Sequence, residues 1–128
     1  MGFFNRLFNS NNPSIKKEFG WILLTDLQQL EDVVLHSYEK TITIFKHSTR
    51  CSISRFALNS FENEFNLPKE KMTCFYLDLL AHRDISNEVA RKFQIEHQSP
   101  QILVIKNGKT VYSTSHESIN AGILERFI

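Results

Sequence analysis

Apolar and polar residues follow one another in blocks, and these blocks predict alternating helices and strands. Apolar residues at helical spacing predict four helices, whose core-facing positions are Leu27, Leu30, Val34 and Leu35; Ile53, Phe56, Ala57, Phe61 and Phe65; Ile85, Val89, Ala90 and Phe93; and Ile119, Ile123, Leu124 and Phe127. Apolar or β-branched runs predict four strands, at residues 41–45, 73–79, 101–105 and 109–114. Helices and strands therefore alternate through most of the chain.

Residues at the ends of these blocks indicate how the elements connect. Thr25 and Gln28 have the spacing of a capping box, and Asp84 is placed to cap the third helix. Asn107-Gly108 is a strong hairpin signal, so the last two strands are predicted to be antiparallel. Helices separate the earlier strands, which favours parallel crossovers. We therefore predict an α/β, thioredoxin-like fold with a central mixed four-stranded sheet flanked by helices.

The length of the chain, 128 residues, suits one domain with its own core. A short apolar stripe at helical spacing, formed by Phe3, Phe4, Leu7 and Phe8, ends at the Asn/Pro/Ser cluster of residues 10–14. We expect residues 1–20 to be an N-terminal appendage, a short helix and linker, that packs on the domain or contacts a membrane surface or partner. Residues 21–128 are expected to form the thioredoxin-like domain.

Composition and charge exclude several classes of protein. Fifteen basic and fourteen acidic residues leave a net charge of +1, which does not favour nucleic acid or an anionic membrane as a partner. No apolar run approaches the roughly 20 residues of a membrane helix, and the first residues lack the form of a secretory signal. Two cysteines are few for a small secreted scaffold. We expect a cytoplasmic monomer that binds neither nucleic acid nor membrane.

The position of Cys51, after a predicted strand and at the start of a predicted helix, favours a reactive thiolate. Backbone N–H groups at a helix N-terminus carry partial positive charge. Three basic residues, Arg50, Lys46 and His47, lie close to Cys51 in the sequence. We expect all three to stabilise the thiolate, the form of cysteine that attacks disulfides. For His47 the alternative is a solvated histidine in the loop. The alternative is that Cys51 is an inert core residue.

The residues after Cys51 indicate a monothiol mechanism. Ser54 stands three positions downstream, where a dithiol oxidoreductase would have its second cysteine. A hydroxyl cannot displace sulfur from sulfur, so an external thiol must complete the reaction. The expected active-site motif around Cys51 consists of Ser48, Thr49, Ser52, Ile53 and Ser54.

The Ser99-Pro100 pair before the third strand is a second, independent signal. In the thioredoxin arrangement a proline at this place faces the reactive cysteine, and its peptide bond is cis. Such a turn presents the backbone of the preceding residue to an extended substrate. We expect Ser99 and Pro100 to form the substrate-binding turn. The alternative is an ordinary trans proline at the start of a strand.

The remaining groups that could react are expected to have structural roles. Cys74 lies within an apolar strand, and a resolving role would require it to come within disulfide distance of Cys51. Asp78 is either a buried acid near the site or a cap of the next loop. The chain has five histidines, at His36, His47, His82, His97 and His116. Their spacing resembles no zinc motif, and we expect no metal.

Two segments carry a resemblance to a known family. FKHSTRCSIS at residues 45–54 and HQSPQ at residues 97–101 are similar to the YtxJ-like monothiol bacilliredoxins of the bacillithiol system, and the likeness spans residues 21–128. It implies that Cys51 attacks mixed disulfides between proteins and bacillithiol, and then carries the bacillithiol until a second thiol removes it. The implied partners are bacillithiolated proteins and bacillithiol, a co-substrate, with no bound cofactor. Ser52 departs from the proline that family members often have after the cysteine.

Three alternatives remain open. The chain could be a glutaredoxin-like protein that uses another low-molecular-weight thiol. It could bridge an iron–sulfur cluster between subunits, although Ser52-Ile53 replaces the Gly-Phe typical of such proteins. It could also be a non-catalytic thioredoxin-fold protein that acts through interactions in a stress response.

Overall fold

The computed structural model describes residues 15–128, and the predicted apolar stripe at residues 3–8 lies outside this part. Within it there are five strands: β1 (Ile22–Leu23), β2 (Thr41–His47), β3 (Met72–Asp78), β4 (Gln101–Lys106) and β5 (Lys109–Ser115). The same residues form three α-helices: α1 (Gln29–His36), α2 (Ser52–Glu64) and α3 (Arg83–Lys92). Short 3₁₀ helices lie at Lys17–Phe19, His116–Ser118 and Ala121–Phe127.

The strands form one mixed sheet in the order β1-β3-β2-β4-β5. β1, β3 and β2 are parallel, whereas β4 is antiparallel to both β2 and β5. The last hairpin turns at Asn107 and Gly108, whose φ angles of 52° and 77° are the positive values that a two-residue turn requires. The predicted thioredoxin-like α/β fold is confirmed. The sheet has one strand more than predicted, because two-residue β1 is too short to show an alternating pattern.

Alternation along the central strands divides the core between the two faces of the sheet. Ile42 and Ile44 of β2 pack with buried side chains of α1 and α3. Phe45, the next residue, packs with buried side chains of α2 and of the C-terminal 3₁₀ helix. Each fully buried apolar side chain of this size contributes about 1.5–3 kcal/mol. The second of these cores fixes α2 against the sheet, and Cys51 lies at the N-cap of α2.

An aromatic cluster joins α2 to the segment before β1. The Phe61 ring lies 5.7 Å from that of Trp21 and 5.4 Å from that of Phe45, between centroids. Trp21 Nε1 donates a 2.7 Å hydrogen bond to Glu62 Oε2, which also accepts the backbone N–H of Lys16 at 2.9 Å. The chain just before β1 is therefore tied to α2 by both ring packing and a buried carboxylate.

Both predicted helix caps are wrong. α1 begins at Gln29, and the contacts expected of Thr25 and Gln28 are made one residue later. Asp26 Oδ1 accepts the Gln28 N–H at 2.9 Å, and Gln29 Oε1 accepts the Thr25 N–H at 2.7 Å. α3 begins at Arg83, so Asp84 lies inside its first turn. A carboxylate there still interacts favourably with the helix dipole.

Four predicted core positions are instead exposed: Leu27, Leu35, Ile53 and Phe56. α1 is only eight residues long and buries Leu30 and Val33, so the stripe rotates away from Leu35. α2 buries Ala57, Leu58 and Phe61, which leaves a second apolar stripe facing outward. Hydrophobic periodicity identified the helices but did not identify which of two apolar stripes faces the sheet.

The C-terminal segment is not the amphipathic α-helix that the sequence predicted. It forms two 3₁₀ helices, and Asn120 Oδ1 accepts the Gly122 N–H at 2.8 Å where the second begins. Ala121 and Leu124 are buried and Phe127 is partly buried, at intervals of three residues. That spacing fits about three residues per turn. No helix within residues 15–128 has the length and apolar character of a membrane span.

Candidate active site

Cys51 lies at the N-cap of α2, directly after the loop that follows β2. Its backbone is extended (φ −109°, ψ 122°), its C=O accepts the Arg55 N–H at 3.0 Å, and its N–H donates to the Ser48 C=O at 3.2 Å. The residue is partly exposed, which disagrees with the alternative of an inert core thiol. The thiol is therefore held at the N-terminus of a helix and within reach of solvent.

The rest of the motif differs in exposure. Ser48 and Thr49 are partly buried in the loop, whereas Arg50, Ser52 and Ile53 are exposed. The Arg50 guanidinium therefore lies at the surface next to Cys51 in sequence. Its role in stabilising a thiolate stays a prediction.

Ser54, at the position of the missing second cysteine, is fully buried and hydrogen-bonded. Its Oγ accepts the Ser48 N–H at 3.0 Å and lies 2.7 Å from His47 Nδ1. Which of the two groups donates in this contact depends on the tautomer of the ring, and the other ring nitrogen, Nε2, is buried with no hydrogen-bond partner among the described residues. The hydroxyl therefore ties the end of β2 and the following loop to the first turn of α2.

His47 is the last residue of β2 rather than a loop residue, and it is fully buried. Burial lowers the pKa of the His47 ring to about 4, while the nearby Asp78 carboxylate partly opposes this shift. At neutral pH the ring is therefore uncharged. Its influence on a Cys51 thiolate, which stays a prediction, would act through the Ser54 hydroxyl rather than through a full positive charge.

Lys46 is buried on the opposite face of the sheet. Its Nζ donates a 2.7 Å hydrogen bond to His97 Nδ1, and burial lowers the pKa of Lys46 to about 8. His97 precedes the Ser99-Pro100 turn by two residues, so Lys46 contacts the segment leading to that turn. His97 was not among the predicted site residues, although it begins the HQSPQ segment. The effect of Lys46 on Cys51 stays a prediction.

The Ser99-Pro100 peptide bond is cis, as predicted. Hydrogen bonds hold the segment on both sides: Gln101 Nε2 donates to the Glu96 C=O at 2.9 Å, and the Pro100 C=O accepts the His116 N–H at 3.0 Å. Ser99 Oγ is buried and has no hydrogen-bond partner among the described residues. These hydrogen bonds fix the turn in place, and they do not involve the Ser99 hydroxyl.

Cys74 is buried in β3, opposite Thr43 of β2. It lies four residues before Asp78, the last residue of its strand, which corresponds to about 13 Å at about 3.3 Å per residue. Cys51 follows the same edge of the sheet, and a disulfide requires Cα atoms within about 7 Å. Burial also raises the pKa of the Cys74 thiol. The structural role predicted for Cys74 is supported, and the resolving role is not.

Asp78 has the second of the two roles considered for it, that of a cap, and it is partly buried rather than buried. Its Oδ1 accepts the backbone N–H groups of Leu80 at 3.2 Å and Ala81 at 3.3 Å, so it caps the loop after β3. It is also paired with His47 in the parallel ladder and acts electrostatically on that ring. Among residues 15–128, no three His, Cys, Asp or Glu side chains form a group that could hold a metal ion.

The buried His47 ring predicts that acid destabilises the fold. A histidine whose pKa is about 4 when folded and 6.5 when unfolded binds more protons in the unfolded state between these values. Unfolding free energy should therefore fall as pH decreases from about 7 to about 4, with about 3 kcal/mol attributable to His47. Urea unfolding across this range should show a shallower fall for His47→Asn. The matched change at exposed His36, His36→Asn, should keep the wild-type slope; equal slopes in all three proteins would contradict the prediction.

The fold and the placement of the thiol define the class, that of thioredoxin-fold redox proteins. A solved structure described as that of a proposed oxidoreductase with a thioredoxin fold is 31% identical, covers 85% of this chain and 94% of that one, and has a TM-score of 0.72. Thioredoxin from Schistosoma mansoni (22% identical, 86% and 97% covered, TM-score 0.63) and thioredoxin Mala s 13 from Malassezia sympodialis (18%, 81% and 84%, 0.63) share the fold. The family model for the monothiol bacilliredoxin BrxC matches residues 22–124. The chain therefore belongs to the BrxC monothiol bacilliredoxin family.

Proposed function

We propose that this protein is a monothiol thiol-disulfide oxidoreductase that removes bacillithiol from mixed disulfides on proteins, with Cys51 as the nucleophile. The observation that carries the proposal is the pairing of a partly exposed thiol at the N-cap of α2 with a buried, hydrogen-bonded hydroxyl at Ser54. Such a site can accept a thiol adduct but cannot expel it from within. Membership of the bacilliredoxin family supports bacillithiol as the thiol.

The first step is thiol–disulfide exchange at Cys51. The Cys51 thiolate attacks the bacillithiol sulfur of the mixed disulfide, so that a new S–S bond forms and the old one breaks. The client leaves as a thiolate and takes a proton from solvent. The N–H groups of the first turn of α2 favour the attacking anion. The fixed Ser99-Pro100 turn provides a backbone edge for the client, in the role proposed for it from the sequence.

The second step needs a thiol from outside the protein. A free bacillithiol thiolate attacks the bacillithiol held on Cys51, which yields bacillithiol disulfide and restores the Cys51 thiolate. No net electrons come from the protein, because free bacillithiol is the reductant. We place this cycle in the cytoplasm, where thiols are kept reduced, and propose that the protein acts there as a monomer, without a resident cofactor.

A client labelled with bacillithiol tests the proposal. Wild-type protein should release one client per chain, gain one bacillithiol on Cys51 and then stop until free bacillithiol is added. Cys51→Ala should release none, and Cys74→Ala should behave as wild type because that thiol is buried away from the site. Intact-mass spectrometry of both proteins follows each step.

Two results would refute the proposal: transfer by Cys51→Ala, or repeated turnover by wild type without added thiol. A parallel reaction with a glutathionylated client distinguishes the proposed function from that of a glutaredoxin-like protein. Faster adduct formation with glutathione than with bacillithiol would make the protein a glutaredoxin-like enzyme instead.

A further inference from the structure

A groove of about 660 Å³ begins beside Cys51 and follows the outer face of α2. One wall is formed by α2, where Ile53 and Phe56 supply the apolar surface; Ile119, in the segment after β5, faces them. Glu64 and Glu117 also line the groove. A volume of this size is within the range of about 300–1,000 Å³ that is typical of ligand sites.

The apolar wall of the groove consists of large side chains that are exposed rather than buried. Phe56 is 76% exposed and Ile53 is 55% exposed, and they are neighbours on one helical face at a spacing of three residues. These are the residues whose periodicity predicted a core position. Large apolar side chains left together at the surface mark binding sites, and this pair begins two residues from the reactive thiol.

The charge of the groove limits what it can bind. Glu64 and Glu117 contribute two carboxylates, and the lining residues that the structure describes include neither Lys nor Arg. The carboxylates would attract a cationic side chain and repel an anionic ligand. The groove therefore has an apolar wall and acidic groups, a combination that suits a peptide segment with one apolar and one basic side chain.

We propose that this groove is the docking site for client proteins, and that it selects a client segment with an apolar residue and a basic residue near its bacillithiolated cysteine. The proposal rests on the function proposed above. From Ser52 to Glu64, α2 rises about 18 Å at about 1.5 Å per residue. An extended client covers that length in about five residues at about 3.3 Å each. The client cysteine lies at Cys51, its apolar side chain packs on Phe56, and a basic side chain about five positions away reaches Glu64.

Synthetic peptides test this selection. The probe is Lys-Ser-Ser-Leu-Ser-Cys-Ser-Leu-Ser-Ser-Lys, with its cysteine in a mixed disulfide with bacillithiol; the palindrome presents the same pattern in both chain directions. One comparison peptide has Ser for both Leu, and another has Glu for both Lys. Wild type should release the probe about tenfold faster than either comparison peptide, which corresponds to burial of one apolar side chain or one favourable charge contact.

Variants of the full chain test whether the groove is the source of the preference for Leu and Lys in the peptide. Phe56→Ser should lose the preference for Leu, whereas Leu35→Ser, which removes a 68%-exposed apolar side chain on α1, should keep it. The double variant Glu64→Lys with Glu117→Lys should prefer the Glu peptide to the Lys peptide. Reaction with bacillithiol disulfide, which needs no client, is measured in every variant.

The outcomes separate the two proposals. Failure to react with any bacillithiolated probe, and with bacillithiol disulfide, refutes the proposed function. Normal reaction at one rate with all three peptides refutes the groove alone, as does an equal loss on peptides and bacillithiol disulfide in Phe56→Ser.

Two other occupants would also overturn the proposal. A wild-type dimer at assay concentration that Phe56→Ser dissociates would make the groove an interface between two copies. A faster peptide reaction in the full-length double variant Phe3→Ser with Phe8→Ser would assign it to the amino-terminal segment.

Discussion

Ser54→Cys is expected to turn this monothiol protein into a dithiol one. After Cys51 takes bacillithiol from a client, the introduced thiol should attack the Cys51 sulfur and release bacillithiol as a thiolate. The chain would then hold an intramolecular disulfide instead of an adduct. Bacillithiol would be released without any added thiol, which the wild-type chain cannot achieve.

The geometry of α2 supports this result. Ser54 lies three residues after Cys51, within the first turn, and side chains at that spacing are about 5–6 Å apart at Cβ. A modest rotation brings two such sulfurs to bonding distance, since bridged Cα atoms are usually about 4.4–6.8 Å apart. The introduced thiol would also lie beside His47 Nδ1, which is 2.7 Å from the Ser54 hydroxyl oxygen.

After one equivalent of bacillithiolated client, intact-mass spectrometry should find no bacillithiol adduct on Ser54→Cys. The variant's mass should be lower by two hydrogen atoms, which are lost when the disulfide forms. The matched control is Ser60→Cys on the same helix, nine residues from Cys51 and about 13 Å along the helix at about 1.5 Å per residue. That variant should retain the adduct, as wild type does. Retention of bacillithiol by Ser54→Cys itself would mean that the buried position cannot reach Cys51.

Local patterns were sufficient to predict the fold class and the position of the thiol. Cys51 follows a β-branched strand and precedes a helix, and Asn107-Gly108 specifies its turn through backbone conformation alone. Such signals depend on neighbours in sequence, so they can be read without the tertiary structure. The cis bond before Pro100 was inferred from the fold once Cys51 had been located.

Burial at the end of β2 could not be predicted in the same way. Lys46 and His47 resemble loop residues, because charged and titratable side chains are seldom fully buried. The structure buries both by giving each a polar partner, His97 in one case and Ser54 in the other. Those partners are 51 and 7 residues away, and no local pattern indicates them.

The two apolar stripes of α2 illustrate the same limit. Phe56 and Phe61 have equal weight in a helical pattern, yet one is 76% exposed and the other 1% exposed. Position relative to Trp21 and Phe45, which come from other elements, decides which of them is in the core. The exposed stripe was therefore assigned to the core, although it forms one wall of the groove beside Cys51.

Phe61→Ala should cost about 3–5 kcal/mol of unfolding free energy. The ring is nearly fully buried and contacts the rings of Trp21, Phe45 and Phe65, with centroids 5.4–5.8 Å apart. Truncation removes the transfer free energy of the ring and leaves a cavity that the rigid neighbours fill only partly. Because domains are stable by only about 5–15 kcal/mol, this single change removes a large share of the total.

Phe56→Ala, five residues earlier on the same helix, removes the same atoms from an exposed site. It should alter stability by no more than about 0.5 kcal/mol. Urea unfolding, followed by Trp21 fluorescence, measures both variants, and the midpoint should fall for Phe61→Ala alone. Equal losses would mean that the outward stripe also contributes to the folded core. A large loss confined to Phe61→Ala would show that the outward ring can be changed without weakening the domain, as a side chain that serves client binding requires.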